Sequence, residues 1–208
     1  MPLLYFSPMS GSLAARVACH HHGVEVDYVE VDLPSARLRV GGEDYRQVHP
    51  LGQVPALRLD DGRLVTEIPV VLRTIAALGG AAPPDDGGEE LAWLVFLGTE
   101  VHKAIFRPLF DPDSNDGARA YAMTKVSTRL AFLDAALQHR DTLMDAFGLA
   151  DIYLVTLLSW TRAAGIDLGP TPALAAALSA HRKRPAFQAA FAAELPLFQA
   201  ARARASER

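Results

Sequence analysis

The chain has 208 residues and a formal net charge of -4, with acidic and basic residues interspersed. No basic block suited to a phosphate backbone is present, which argues against nucleic-acid binding. No run approaches the ~20 apolar residues of a membrane span, and the first residues lack the basic and apolar regions of a secretory signal, so we expect a cytoplasmic protein that does not enter a membrane.

The chain opens with a pattern of strand, helix and strand. Residues 2–7 form a short apolar run that is typical of a buried strand. Residues 12–22 carry apolar side chains on one side and stop at Gly23, which predicts a helix. Residues 26–33 alternate apolar and polar side chains, which predicts a second strand parallel to the first.

The next segment predicts a hairpin followed by a helix. Residues 34–49 are polar and predict a loop with a short helix. Residues 54–59 and 63–66 predict two strands around an Asp-Asp-Gly turn, and residues 69–78 predict a helix with a proline in its first turn. The order β-α-β-α-β-β-α is that of the thioredoxin-like fold.

Composition changes sharply after this region. Residues 79–90 are rich in Gly, Pro and acids, which predicts a linker. After Leu91 apolar residues recur at a spacing of three to four, and no strand pattern is present. We therefore predict an α/β + all-α protein, with an N-terminal thioredoxin-like domain over residues 1–78 and a C-terminal helical-bundle domain over residues 91–208.

Residues 49–57, His-Pro-Leu-Gly-Gln-Val-Pro-Ala-Leu, resemble the N-P-x-G-x-V-P-x-L segment of glutathione transferases. The resemblance implies a cis bond between Val54 and Pro55, and a Val54 backbone that pairs with the extended backbone of glutathione. Gln53 is expected to add a polar contact. The alternative is a Gly-Pro turn that leads into a strand.

Glu67 and Ile68 stand where the family has an acid followed by Ser before a helix. The resemblance implies that the Glu67 carboxylate binds the ammonium group of glutathione, and that the N–H of Ile68 at the helix N-terminus holds a carboxylate. The alternative for Glu67 is an acid at a helix start that interacts only with the helix dipole.

Residues 7–13, Ser-Pro-Met-Ser-Gly-Ser-Leu, resemble the S/T-P-x-x-C-S-L turn of the bacterial beta class, with Gly11 in place of the class cysteine. Ser10 and Ser12 retain hydroxyls that could donate to the glutathione sulfur and favour its thiolate. Ser12 is also a candidate helix N-cap, and Ser10 a candidate ordinary loop residue. Cys19, the single cysteine, lies roughly 10 Å along the helix from Ser12 and is interpreted as a small core residue.

The helical half carries three further matches to the beta class. The sequence Glu-Val-His-Lys implies that His102 lies at the active site and assists proton transfer, whereas the alternative is a partly buried histidine. Trp160 matches a position near the substrate pocket or, alternatively, belongs to the core. In residues 147–153, Asp151 is expected to bond back to the start of a helix, and Gly148 replaces the hydroxyl of the usual cap.

The resemblance implies a homodimeric enzyme that uses glutathione as co-substrate and adds its thiolate to an apolar electrophile. Two alternatives remain: a glutathione-dependent isomerase or C–S bond-forming or bond-cleaving enzyme, and a non-catalytic binding protein on the same fold. The candidate catalytic residues are Ser12, Ser10 and His102. The electrophile is expected between the domains, against Met9, Phe106, Phe110 and Trp160.

Two patterns that suggest metal binding do not fit a metal site. Three consecutive histidines, residues 20–22, point about 100° apart on a helix and make a poor tetrahedral set. Residues 111–117 resemble the start of a calcium loop, but their glycine is one position late and no acid stands at the twelfth position. We therefore predict no metal ion.

Overall fold

The first third of the chain alternates between strands and helices, as the hydrophobic pattern predicts. The computed structural model describes residues 1–82 and 87–206. The elements in chain order are β1 (Leu3–Phe6), α1 (Leu13–His22), β2 (Asp27–Asp32), β3 (Arg37–Leu38), a 3₁₀ turn (Tyr45–Gln47), β4 (Ala56–Arg58), β5 (Leu64–Val65) and α2 (Ile68–Leu78).

The five strands form one sheet in the order β3-β2-β1-β4-β5. β1 and β2 are parallel because α1 connects them as a crossover, and the other neighbouring strands are antiparallel. This topology confirms the predicted thioredoxin-like fold. β3 is an element that the sequence does not reveal, since a strand of two residues is too short to display an alternating pattern.

α1 lies at the centre of this part of the molecule. Its residues from Leu13 to Cys19 are all buried, and it packs against α2. Gly23 ends α1 with a φ of 66°, the left-handed conformation that glycine adopts most readily at a helix C-terminus. Beside the sheet, Tyr5, Val31 and Tyr45 form the centre of a buried cluster.

The remainder of the described chain is helical, which confirms the predicted all-α second half. No helix in residues 1–82 and 87–206 is both long and apolar enough to cross a membrane. The elements are α3 (Glu89–Phe96), a π-helical segment (Leu97–Phe106), α4 (Arg107–Phe110), α5 (Asp116–Ala136), α6 (Leu149–Leu158), α7 (Pro172–His181) and α8 (Pro185–Ser206).

All residues of α6 are buried, and its first turn is held by Asp151. The Asp151 carboxylate accepts the N–H of Gly148 at 3.0 Å, which confirms the expected bond to the helix start. It also accepts the N–H of Leu143 at 2.8 Å. Because Gly148 has no hydroxyl, only the acidic half of a capping box is present.

Contacts divide the chain into two compact units. The first contains the five strands with α1, α2 and α8, and the second contains the π-helical segment with α3 to α7. This differs from the predicted division at residues 91–208, because α8 packs against α1 instead of completing the helical unit. α3 begins within the predicted linker, residues 79–90, whose centre at residues 83–86 lies outside the described residues.

Candidate active site

The strand register brings three segments to the same end of the sheet. Tyr5 of β1 lies opposite Ala56 of the antiparallel β4, and Leu57 of β4 lies opposite Val65 of the antiparallel β5. The chain therefore leaves β1, enters β4 and leaves β5 at the same end of the sheet. The segments concerned are residues 7–12, 53–55 and 66–68.

The segment after β1 is closed by hydrogen bonds among three serines. Ser12 Oγ donates to the carbonyl of Ser7 at 3.1 Å and accepts the Ser7 N–H at 3.1 Å. Ser10 Oγ lies 2.9 Å from Ser12 Oγ and accepts the Ser12 N–H at 3.3 Å. Since the Ser12 proton is directed to the Ser7 carbonyl, the Ser10 hydroxyl is the donor within the pair.

Ser12 does not act as the N-cap of α1. Its side chain makes no capping hydrogen bond, and its φ and ψ of -68° and -16° are helical, whereas an N-cap is usually extended. The N-cap interpretation is therefore wrong, because the hydroxyl turns back to Ser7 instead. Ser12 is fully buried, whereas Ser10 is partly exposed, so Ser10 is the hydroxyl of the pair that can meet a ligand.

The cysteine of the beta-class turn has no substitute here. Gly11 occupies its position and is buried. Cys19 lies further along α1 with 2% of its surface exposed, which confirms its interpretation as a core residue. Burial raises the pKa of the Cys19 thiol to about 11, so the group stays protonated near neutral pH.

Met9, immediately before Ser10, has a φ of 60°, a conformation unusual for a residue with a side chain. Its N–H donates to Oε2 of Glu194 on α8 at 2.7 Å. The other carboxylate oxygen, Oε1, accepts the Nε–H of Arg16 on α1 at 2.8 Å. Sequence analysis missed Arg16 and Glu194; the available signal for Arg16 was a charged residue among the apolar residues of the first two turns of α1.

The peptide bond between Val54 and Pro55 is cis, as the family resemblance implies. The preceding carbonyl, that of Gln53, accepts the Tyr45 hydroxyl at 2.9 Å. The Val54 side chain packs against the cluster that contains Tyr45. The backbone of this segment is therefore fixed from the core side, immediately before β4 begins.

Glu67 occupies the N-cap position of α2 and its side chain is exposed. It makes no capping hydrogen bond, and its φ is 66°. The next residue, Ile68, has a side chain that is only 7% exposed, so its backbone N–H is the group that could serve a ligand. An exposed carboxylate beside a helix N-terminus offers one negative group and one cluster of N–H donors.

His102 lies in the π-helical segment, in which the N–H of Arg107 donates to the carbonyl five residues before it, that of His102. The helix predicted here is thus wound more widely than an α-helix. His102 Nδ1 lies 2.8 Å from the Tyr153 hydroxyl. Burial, with smaller contributions from Lys103 and Arg107, lowers the pKa of His102 to about 4, so the imidazole is neutral at pH 7.

Trp160 forms the centre of an aromatic group in the helical unit. Its ring centroid lies 5.1 Å from that of His102, 5.4 Å from that of Phe106 and 6.1 Å from that of Phe110. Phe106 is buried, whereas Phe110 is 46% exposed and Trp160 is partly exposed. The group therefore combines core packing with an apolar surface beside a neutral imidazole.

The candidate residues thus form two groups, one in each compact unit. The first unit contains Met9, Ser10, Ser12, Gln53, Val54, Glu67 and Ile68. The second contains His102, Phe106, Phe110 and Trp160, together with Tyr153, which sequence analysis did not select.

Comparison with known proteins identifies the family of the chain. The profile of the glutathione S-transferase N-terminal domain matches residues 8–78, and that of the C-terminal domain matches residues 99–188. The glutathione S-transferase GstA of Escherichia coli O157:H7 is 33% identical, over 92% of this chain and 98% of its own length.

Two solved structures have the same fold over nearly the whole chain. The beta-class glutathione S-transferase of Sphingomonas chungbukensis has a TM-score of 0.86 and 39% identity, and covers 92% of this chain and 98% of its own. A sphingomonad glutathione S-transferase complexed with glutathione has a TM-score of 0.84 and 42% identity, with the same coverage of 92% and 98%. The chain therefore belongs to the glutathione S-transferase family and is similar to its bacterial beta class.

Proposed function

We propose that this protein binds glutathione and adds its thiolate to an apolar electrophile, with the Ser10 hydroxyl as the donor to the sulfur. The observation that carries this proposal is the serine pair, whose partly exposed member, Ser10, lies at the sheet end shared with Val54 and Glu67. A hydroxyl donor favours the thiolate, which is the nucleophilic form of the sulfur.

Glutathione would lie along the residues that leave this end of the sheet. The Val54 backbone would pair with the peptide, and Gln53 would add a polar contact. The exposed Glu67 carboxylate would pair with the ammonium group, and the N–H of Ile68 would donate to a carboxylate at the α2 N-terminus. Both charged ends of the γ-glutamyl group would then have partners of opposite character.

Ser10 and Ser12 would have different roles. Ser12 is fully buried and bonded to Ser7, so it would hold the loop without touching the substrate. Ser10 is partly exposed, and rotation of its hydroxyl away from Ser12 would direct the proton to the sulfur. The N-terminus of α1, which begins at Leu13, adds a favourable field for a thiolate.

The protein itself supplies no cysteine nucleophile. Gly11 replaces the class cysteine, and the thiol of Cys19 is buried and protonated. A mixed disulfide with the protein is therefore not a step of the proposed reaction. In the proposed reaction the glutathione thiol loses its proton to solvent, and the thiolate sulfur bonds to the electrophile as the bond to a leaving group breaks, such as the carbon–halogen bond of an aryl halide. Neutral His102 can donate a hydrogen bond beside Phe106, Phe110 and Trp160, the proposed apolar surface.

We expect Ser10→Ala to retain glutathione binding and to lose thiolate formation. The test is ultraviolet difference absorbance of the glutathione thiolate on the protein, with kcat/KM for an activated aryl halide. Because one hydrogen bond to an ionised group is lost, kcat/KM should fall about ten- to a hundredfold. The matched control is Ser127→Ala, which removes an exposed serine hydroxyl from α5.

The outcomes separate the alternative functions. A wild-type protein that neither binds immobilised glutathione nor raises its thiolate fraction would be a non-catalytic binding protein on this fold. Recovery of unchanged glutathione at the end of the reaction would instead indicate an isomerase or another enzyme that recycles it. Equal thiolate signals from wild type and Ser10→Ala would contradict the role of Ser10.

We also propose a cytoplasmic homodimer. Phe132 on α5 is 53% exposed, although it forms ring contacts with Trp93 and Phe96 at centroid distances of 5.6 and 5.1 Å. A second copy would remove this apolar surface from water. Sedimentation equilibrium should give about twice the chain mass of 22.4 kDa, and the mass of a single chain would contradict the dimer.

A further inference from the structure

The loop that carries Ser10 is bonded to the last helix of the chain. The Met9 N–H donates to Glu194 Oε2 at 2.7 Å, and Arg16 Nε–H donates to Oε1 of the same carboxylate at 2.8 Å. Glu194 is fully buried and Arg16 is 6% exposed. One carboxylate thus connects α8, α1 and the loop between β1 and α1, all within the first compact unit.

Arg16 is itself held between two aromatic rings. Its Cζ lies 3.6 Å from the centroid of the Tyr28 ring and 4.5 Å from that of Phe6. The Phe6 and Tyr28 rings are nearly perpendicular, with centroids 5.9 Å apart. These contacts restrict the guanidinium and, through it, the orientation of the Glu194 carboxylate.

The charges that face Glu194 are few in this part of the described chain. Arg16 on α1 is its ion-pair partner, and Glu30 on β2 is a second carboxylate, itself 3.6 Å from Arg204. Burial raises the pKa of Glu194, and the Met9 N–H and Arg16 oppose that rise. A buried ion pair of this kind contributes little net stability compared with apolar side chains, so its main effect is on geometry.

The orientation of the Glu194 carboxylate affects the backbone of Met9. A left-handed backbone is unfavourable for a residue with a side chain, and the charge-assisted bond from the Met9 N–H to Glu194 offsets this cost. Ser10 follows directly, with its N–H bonded to the Ser7 carbonyl at 3.2 Å. Release of the Met9 N–H would let the backbone relax and would move the Ser10 hydroxyl.

We infer that Glu194, oriented by Arg16, is a positioning residue that holds the Ser10 hydroxyl where it donates to the glutathione sulfur. The inference rests on the proposed function, and it assigns part of the thiolate-forming machinery to the C-terminal helix. Glu194 touches neither sulfur nor electrophile, because it acts through the Met9 backbone.

Two double variants isolate the hydrogen bond to Met9 from the charge of the pair. Arg16→Met with Glu194→Gln removes both charges and keeps an amide oxygen that can accept the Met9 N–H. Arg16→Met with Glu194→Leu removes both charges and the acceptor. The leucine variant should show a higher pKa for bound glutathione and a kcat/KM about tenfold below that of the glutamine variant.

A third change identifies the residue through which Glu194 acts. Adding Ser10→Ala should lower kcat/KM strongly in the glutamine background and little in the leucine background, because coupled residues are not additive. Circular dichroism melts verify that both double variants fold. If the leucine variant does not fold, Glu194→Asp replaces it, since the shorter side chain keeps the charge and withdraws from Met9; it should lower kcat/KM similarly.

The results distinguish failure of this inference from failure of the proposed function. If wild type forms thiolate and Ser10→Ala does not, but the glutamine and leucine variants are equal, or the aspartate variant equals wild type, the positioning role of Glu194 is overturned. If wild type forms no thiolate, the proposed function itself fails.

Discussion

Asp151→Ala should lower the free energy of unfolding by about 2–5 kcal/mol, because the buried N–H of Leu143 and the partly buried N–H of Gly148 lose a charged acceptor, and each loss costs about 1–3 kcal/mol. The carboxylate is 1% exposed and bonds the N–H groups of Leu143 and Gly148 at 2.8 and 3.0 Å. Both bonds tie the segment before α6 to a helix that is buried throughout. Urea unfolding followed by circular dichroism measures the change.

Two controls accompany this measurement. Asp145→Ala removes an exposed carboxylate from the same segment and should change stability by less than about 0.5 kcal/mol. Asp151→Asn keeps one acceptor oxygen and should lose part of the stability that Asp151→Ala loses. A loss below about 1 kcal/mol for Asp151→Ala would mean that solvent or other groups satisfy the two N–H donors.

The second large effect is a dependence of stability on the titration of His102. Its pKa is lowered from 6.5 to about 4, chiefly by burial. Between these values the unfolded chain binds a proton that the folded protein does not, so stability falls as the pH falls through this range. The stability that depends on a neutral His102 is fully present above pH 6.5. About 3 kcal/mol of it is lost between pH 7 and pH 4.

The test compares two variants with wild type. His102→Gln cannot titrate, so its loss of stability between pH 7 and pH 4 should be about 3 kcal/mol smaller than that of wild type. His139→Gln changes an exposed histidine and should retain the wild-type dependence. Proton NMR of the imidazole gives a direct check, and a His102 resonance that titrates near pH 6.5 would contradict the burial argument.

Elements with a strong hydrophobic period are predictable from this sequence. The β1-α1-β2 unit, the β4-β5 hairpin and the helical second half each show the spacing that their structure requires. The π-helical winding around His102 is not predictable in this way, because apolar residues at a spacing of three to four fit an α-helix equally well. β3 was not predictable either, because a strand of two residues is too short to show an alternating pattern.

The candidate site was predictable where a motif is contiguous. Residues 49–57 identified the cis bond at Val54, and residues 147–153 identified the role of Asp151. The partner of Met9 was not predictable, because Glu194 lies 185 residues away in an alanine-rich helix. The bond from the Ser12 hydroxyl to the Ser7 carbonyl was not predictable, because the local sequence fits a helix cap or a donor to the glutathione sulfur equally well.

The return of α8 to α1 affects the order in which the protein can form during synthesis. Glu194 is added only after more than nine-tenths of the 208 residues have been joined. Until then the ribosome holds a nascent first unit in which α1 lacks the helix that covers it, and the Met9 amide lacks its acceptor. Chains that terminate before α8 would therefore expose apolar residues of α1 to water, and chaperones would bind them.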